Sequence, residues 1–171
     1  MNKPRPYTGT NDGIAKGKRE GTEEFVRQLV FLSDGAFWNN GTFLVRKMKG
    51  KQSLSVHATG RAMDISYRNM RDGRRGKPNG RKVATDWCDI LSKNAQVLGV
   101  ELIIDYAFGK YGRTYRCDRD MWQTYAKPTV TGGGNPSSDW LHIEISPRVA
   151  DDAEKIKRKF RRVFLGEDDG E

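Results

Sequence analysis

Ser55-Val56-His57-Ala58-Thr59-Gly60-Arg61-Ala62-Met63-Asp64 sets one of the chain's two histidines a short loop ahead of a carboxylate. The other histidine stands in Asp139-Trp140-Leu141-His142-Ile143-Glu144, again among carboxylates. Imidazole nitrogen and carboxylate oxygen are the donors a zinc-type ion takes, and a catalytic site uses three of them and keeps a fourth position open. A chain this poor in histidine that places both beside acids points to a metal site. Its ligands are His57, Asp64 and His142, and Asp139 is left to move protons as general base.

The residues around both motifs predict strands that can carry such a site. Ala62 to Ser66 reads as a strand with Asp64 on the face of the small residues Ala62 and Ser66. Gly60 lets the chain turn back so that His57 and Asp64 reach one ion. Trp140 to Ser146 is a second strand, ended by Pro147. Leu141, Ile143 and Ile145 share its apolar face, and His142, Glu144 and Ser146 share the polar one. Asp139 stands three residues before His142, which in a regular strand is the opposite face. A base role therefore requires the strand to begin after Asp139, and Pro136-Ser137-Ser138 predicts a bend there.

Further out, a helix is expected from an N-cap at Thr22, with Phe25, Val26, Leu29 and Val30 inward, ending by Asp34-Gly35. Asn39 to Gly41 reads as a turn and Thr42 to Met48 as a strand. Residues 68 to 81 form a basic loop. Arg81 to Leu98 predicts a helix stopped by Gly99. Val100 to Ala107 alternates as a strand, with a turn at Gly109 to Gly112 and a partner strand around Thr114 to Cys117. Thr131 to Ser138 reads as a flexible connection, and Val149 to Leu165 as a last helix with acids early and bases late. The sum is an α+β fold: a small, mostly antiparallel sheet packed with helices. Residues 1–21 are assigned to an N-terminal arm, 22–165 to a single domain and 166–171 to an acidic tail.

Composition narrows the function. Lys and Arg number 31 against 22 acids, giving +9, which favours an anionic partner: nucleic acid, an anionic cell wall or a membrane surface. No stretch is apolar enough to insert in a membrane, and no secretory h-region follows the charged start, so synthesis in a cytoplasm is expected. Cys88 and Cys117 form no Cys-x-x-Cys pair, which excludes a cysteine-rich zinc finger. Cys88 reads as a small buried residue, and a disulfide between the two stays open.

The pattern Ser55-x-His57-x-x-Gly60-x-Ala62-x-Asp64, followed by Asp139-x-x-His142, resembles the D-alanyl-D-alanine carboxypeptidase and L-alanyl-D-glutamate endopeptidase family. These are zinc peptidases of bacterial cell walls that also occur as phage endolysins. The resemblance implies a hedgehog/D-Ala-D-Ala-peptidase-like sheet, a Zn2+ ion on His57, Asp64 and His142, and Asp139 as the catalytic acid-base. It also implies a substrate-contacting cation, for which Arg46 is the nearest candidate. Ser55 and Trp140 are the other candidate substrate residues, and Ser55, Gly60 and Ala62 are expected to set local geometry. The expected partner is bacterial peptidoglycan, met by a monomer with no specific nucleic acid bound. Without a signal, the chain would reach the wall with help or on a virion. Within the family a carboxypeptidase is the alternative to an endopeptidase. Outside it, the Arg-rich loop and basic last helix suit a nucleic-acid-binding module, which leaves both histidine motifs unexplained.

Overall fold

Hydrophobic alternation and the two glycine stops at Gly60 and Gly99 lay down most of the observed elements. The computed structural model describes residues 4–48, 51–128 and 138–168. The helices are α1 (Glu20–Leu32), α2 (Gly80–Lys93), α3 (Ala95–Leu98), α4 (Pro147–Ala150) and α5 (Ala153–Leu165). The strands are β1 (Trp38–Gly41), β2 (Ala62–Ser66), β3 (Val100–Asp105), β4 (Arg113–Arg116), β5 (Met121–Thr124) and β6 (Trp140–Ile145). They form one antiparallel sheet in the order β1-β2-β6-β3-β4-β5. The α+β expectation holds, and the last strand in sequence sits between β2 and β3.

That insertion places the motifs. Met63 and Ile65 of β2 join Leu141, Ile143 and Ile145 of β6 and Ile103 of β3 in the core, with Phe25, Leu29, Trp87, Leu91, Ile156 and Phe160 from the helices. Asp64, His142 and Glu144 alternate with these residues and so share the other face. A register shift between Val100 and Leu102 brings both Val100 and Ile103 into the core, where strict alternation would separate them.

Several boundaries differ from expectation. Asn39 to Gly41 is strand, not turn, because β1 pairs with β2 through a bulge at Asn39/Gly41. Residues 42–48 form no strand; Lys47 makes a single bridge to Leu54. Helix α1 begins before Thr22, whose hydroxyl donates to the Gly60 carbonyl at 2.7 Å instead of capping. The expected helix to Leu98 breaks at Asn94, and Gly99 ends the second piece at φ +76°. The last helix is likewise two pieces, with Pro147 in the first turn of α4 and Asp152 capping α5 through the Lys155 N–H. The expected connection from Thr131 to Ser138 falls, apart from Ser138, outside the described residues.

The arm is part of the fold. Arg61, fully buried, grips Asp12 with two nitrogens at 2.8 and 2.9 Å and donates to the carbonyls of Gly9 and Ile145. Thr8 donates to the buried Glu101, and Arg5 to Gln96 at 2.7 Å. Both cysteines are buried and free. Among the described residues no helix is long and apolar enough to cross a membrane.

Candidate metal centre

Each of the three donors arrives by a different local device. His57 sits in a 3-10 turn, Val56–Thr59, capped by Ser55, whose hydroxyl accepts from the His57 N–H at 3.4 Å. Gly60 closes that turn at φ +70°, and a Cβ there would crowd the Gly17 carbonyl at 3.1 Å. The left-handed backbone is what favours glycine, and the space beside it is tight. Strand β2 begins two residues later and carries Asp64, and β6 delivers His142 in register directly opposite it.

The donors converge. His57 Nε2 lies 3.3 Å and His142 Nδ1 3.0 Å from the same oxygen, Asp64 Oδ1. The two imidazole rings meet edge to face with centroids 5.0 Å apart. One donor atom from each residue lies within 4.8 Å of the other two, so His57, Asp64 and His142 form a group that can hold a metal ion. Both histidines are almost covered, while Asp64 keeps 20% of its side-chain surface.

Neighbouring acceptors set the ring orientations. The Thr42 carbonyl lies 2.8 Å from His57 Nδ1. A carbonyl can only accept, so Nδ1 carries a proton, and Nε2 is the nitrogen turned toward Asp64. Glu144 Oε1 lies 3.0 Å from His142 Nε2, and Tyr7 donates its hydroxyl to Glu144 Oε2 at 2.7 Å. Burial, then the Glu144 charge, pushes the Tyr7 hydroxyl up, so it stays a donor.

The electrostatics of the metal-free group follow. Burial pushes the Asp64 carboxyl up, but hydrogen bonds from His142 and His57 outweigh it and hold the acid well below the usual carboxylate range. Burial disfavours the His142 imidazolium, yet its bonds to Asp64 and Glu144 prevail and raise it to about 10. Without an ion, His142 stays protonated at neutral pH between Asp64 and Glu144.

Asp139 is not brought into this group. Strand β6 begins only at Trp140, as a base role needs. The ladder nevertheless runs one step on, with the Asp139 carbonyl accepting from the Tyr67 N–H at 2.8 Å and the Ser66 hydroxyl at 3.1 Å. The Asp139 carboxylate is held by Arg68, Nε to Oδ2 at 2.5 Å and Nη2 to Oδ1 at 3.1 Å.

Of the candidate substrate residues, Ser55 is buried as the cap of the His57 turn. Arg46 is exposed, its carbonyl accepting from the Ser55 N–H at 2.9 Å. Trp140 stacks obliquely on Tyr106 with centroids 5.3 Å apart. Sequence reasoning missed the supports. Glu144 was visible as the residue sharing His142's face. Neither the Thr42 carbonyl nor Tyr7 leaves a local trace, since both act across long stretches of chain.

No family model, no curated protein and no solved structure matches this chain.

Proposed function

We propose that the chain is a zinc-dependent peptidoglycan peptidase that hydrolyses a stem-peptide bond, L-alanyl-D-glutamate by preference, and that it serves as a phage lysin. The observation that carries this reading is the meeting of His57, Asp64 and His142 from two separate motifs at one point of the sheet.

Zinc suits the donor set. For bonds of about 2.0–2.1 Å, a tetrahedral ion keeps its ligand atoms about 3.3–3.4 Å apart. The separations of 3.3 and 3.0 Å about Asp64 Oδ1 need only a small opening to reach that spacing. Two neutral imidazoles and one carboxylate are a catalytic ligand count, with one position left for water or substrate. Each imidazole is already fixed by an acceptor on its far nitrogen, the arrangement that holds a metal-ligating histidine in one tautomer.

A zinc ion supplies Lewis acidity that polarises a carbonyl and makes water nucleophilic near neutral pH. The chain's own residues do the rest. Thr42 and Glu144 keep both rings aimed. Asp139 takes a proton from the attacking water and returns it to the leaving amine, for which it exchanges Arg68 for the water. The net charge of +9 favours approach to a wall rich in carboxylates and phosphates.

The test is digestion of purified peptidoglycan by zinc-loaded and chelated protein, with mass identification of the released ends. The reading predicts new amino termini on D-glutamate in the loaded sample alone. A folded chain holding one equivalent of zinc that releases nothing overturns it.

A further inference from the structure

The candidate metal centre stands at one end of a row of side chains that crosses the open face of the sheet. Asp64 of β2 pairs with His142 of β6, and His142 with Ile104 of β3. Ile104 pairs with Thr114 of β4, and Thr114 with Gln123 of β5. Directly paired residues share a face, and Tyr115, the neighbour of Thr114, belongs to the core. The row therefore carries the face of Asp64 and His142 as far as the β4–β5 hairpin. Adjacent strands lie about 4.8 Å apart, which sets Thr114 roughly 10 Å from His142. An extended peptide spans that distance in about three residues.

Two side chains reach over Thr114 from opposite ends of the hairpin. Tyr125, one residue past β5, is half-buried and hydrogen-bonded to Thr114. Burial pushes its hydroxyl up, the Thr114 bond and the Arg119 charge oppose that shift, and the Glu144 charge adds to it. The hydroxyl thus stands in the fields of both Arg119 and Glu144, the support of His142. Arg119 comes from the turn between β4 and β5.

The acids beside Arg119 in that turn are held by other residues. Arg116 grips Asp118 with Nε at 3.0 Å and Nη2 at 2.5 Å, and Asp120 accepts from the Tyr115 hydroxyl at 2.7 Å. Arg119 acts on Asp118 through its charge alone. Its Nε is buried and has no acceptor among the described residues. A buried donor without an acceptor is costly, and on a guanidinium it leaves open an edge that matches a carboxylate oxygen.

We infer that Arg119 is the cation this face offers to the peptide substrate, binding a carboxylate within about three residues of the bond cut at the metal. The inference takes its ligand from the peptidase reading above. Arg46, the cation expected from sequence, is exposed on the loop ahead of the His57 turn.

The test uses the full chain and short N-acetylated peptides that contain the L-alanyl-D-glutamate bond, with each carboxylate replaced in turn by its carboxamide. Binding to the chelated chain is followed through backbone amide shifts, and cleavage by the zinc-loaded chain through kcat and KM. One of the amides should bind the wild type about 10–100-fold more weakly than the parent acid, with KM raised alike. Arg119→Gln should bind the parent as weakly as that amide and no longer distinguish the two. Arg119→Lys, which keeps the charge without the fork, should fall between and carries the same comparison where the glutamine variant is unstable. Thermal midpoint and zinc content, expected near wild type, show that the fold is kept.

An Arg119→Gln chain that still prefers the acid overturns the proposal, and so does an equal loss for acid and amide. A wild type that shows the preference but cleaves nothing overturns the peptidase reading alone. One that binds and cleaves acid and amides equally well overturns the carboxylate site alone, and one that binds neither form overturns both.

Discussion

Glu144 supports His142 from behind, with Oε1 3.0 Å from the ring Nε2, while its second oxygen accepts from Tyr7 at 2.7 Å. The arm thus reaches the candidate metal centre through one intermediary. Glu144→Ala should weaken zinc binding about 10–100-fold, the usual cost of losing such a support. It should also cost about 1–3 kcal/mol of stability by orphaning the Tyr7 hydroxyl. Glu144→Gln keeps an acceptor and should fall between. Competition with a chromogenic chelator measures the affinity, and wild-type affinity in Glu144→Ala would remove Glu144 from the site.

Asp139 and Arg68 invite a paired experiment. Asp139→Ala should retain one equivalent of zinc and the fold while abolishing peptidoglycan cleavage, because the carboxylate lies outside the ligand group. Arg68 is 57% exposed, so its ion pair is worth only about 0–1 kcal/mol, and Arg68→Ala should unfold at nearly the wild-type denaturant concentration. Full activity in Asp139→Ala refutes its role as base. Metal analysis of the same samples separates that outcome from loss of the ion.

The metal-free chain should show a distinctive pH profile. His142 is raised from 6.5 to about 10, so its contribution is complete below pH 6.5 and is lost as pH climbs toward 10. Asp64 is depressed below 3.8, so its contribution is present above that value and is lost as pH falls further. Urea midpoints taken in a chelator should therefore decline from neutral to alkaline pH, and zinc should reverse the decline. Zinc must also displace the proton on His142. Calorimetry in two buffers of different ionisation enthalpy should show a proton released at pH 7, and buffer-independent heats would contradict the assignment.

Much of this architecture was legible in local pattern. Apolar alternation in Trp140 to Ile145 separated His142 from the core, and Gly60 and Gly99 marked their stops because both take positive φ. What escaped was set by distant partners. Asn39 to Gly41 carries turn residues yet pairs with β2, tertiary pairing overriding propensity. The arm has no apolar stripe to announce its packing, because its ordering depends on the buried Arg61 and Glu101, far along the chain. The three donors that meet at the sheet, His57, Asp64 and His142, were readable because their spacing is chemical. The aim of Asp139 was not, because Arg68 lies on a loop whose course no local rule fixes.

Gly21 provides a stability test independent of the chemistry. It lies in the first turn of α1, where alanine normally gains about 0.5–1 kcal/mol over glycine. Here a Cβ would fall 2.0 Å from the Val149 carbonyl oxygen and 2.7 Å from the Ala150 carbonyl, both backbone atoms of α4 that cannot turn aside. Gly21→Ala should therefore destabilise by about 1–3 kcal/mol or more, by prising α1 from α4. Gly17 is the control, with nothing within 4 Å of its would-be Cβ, and Gly17→Ala should be neutral or slightly stabilising. Urea unfolding of the two variants decides the matter. A stabilised Gly21→Ala chain would mean that α1 and α4 do not pack at this distance.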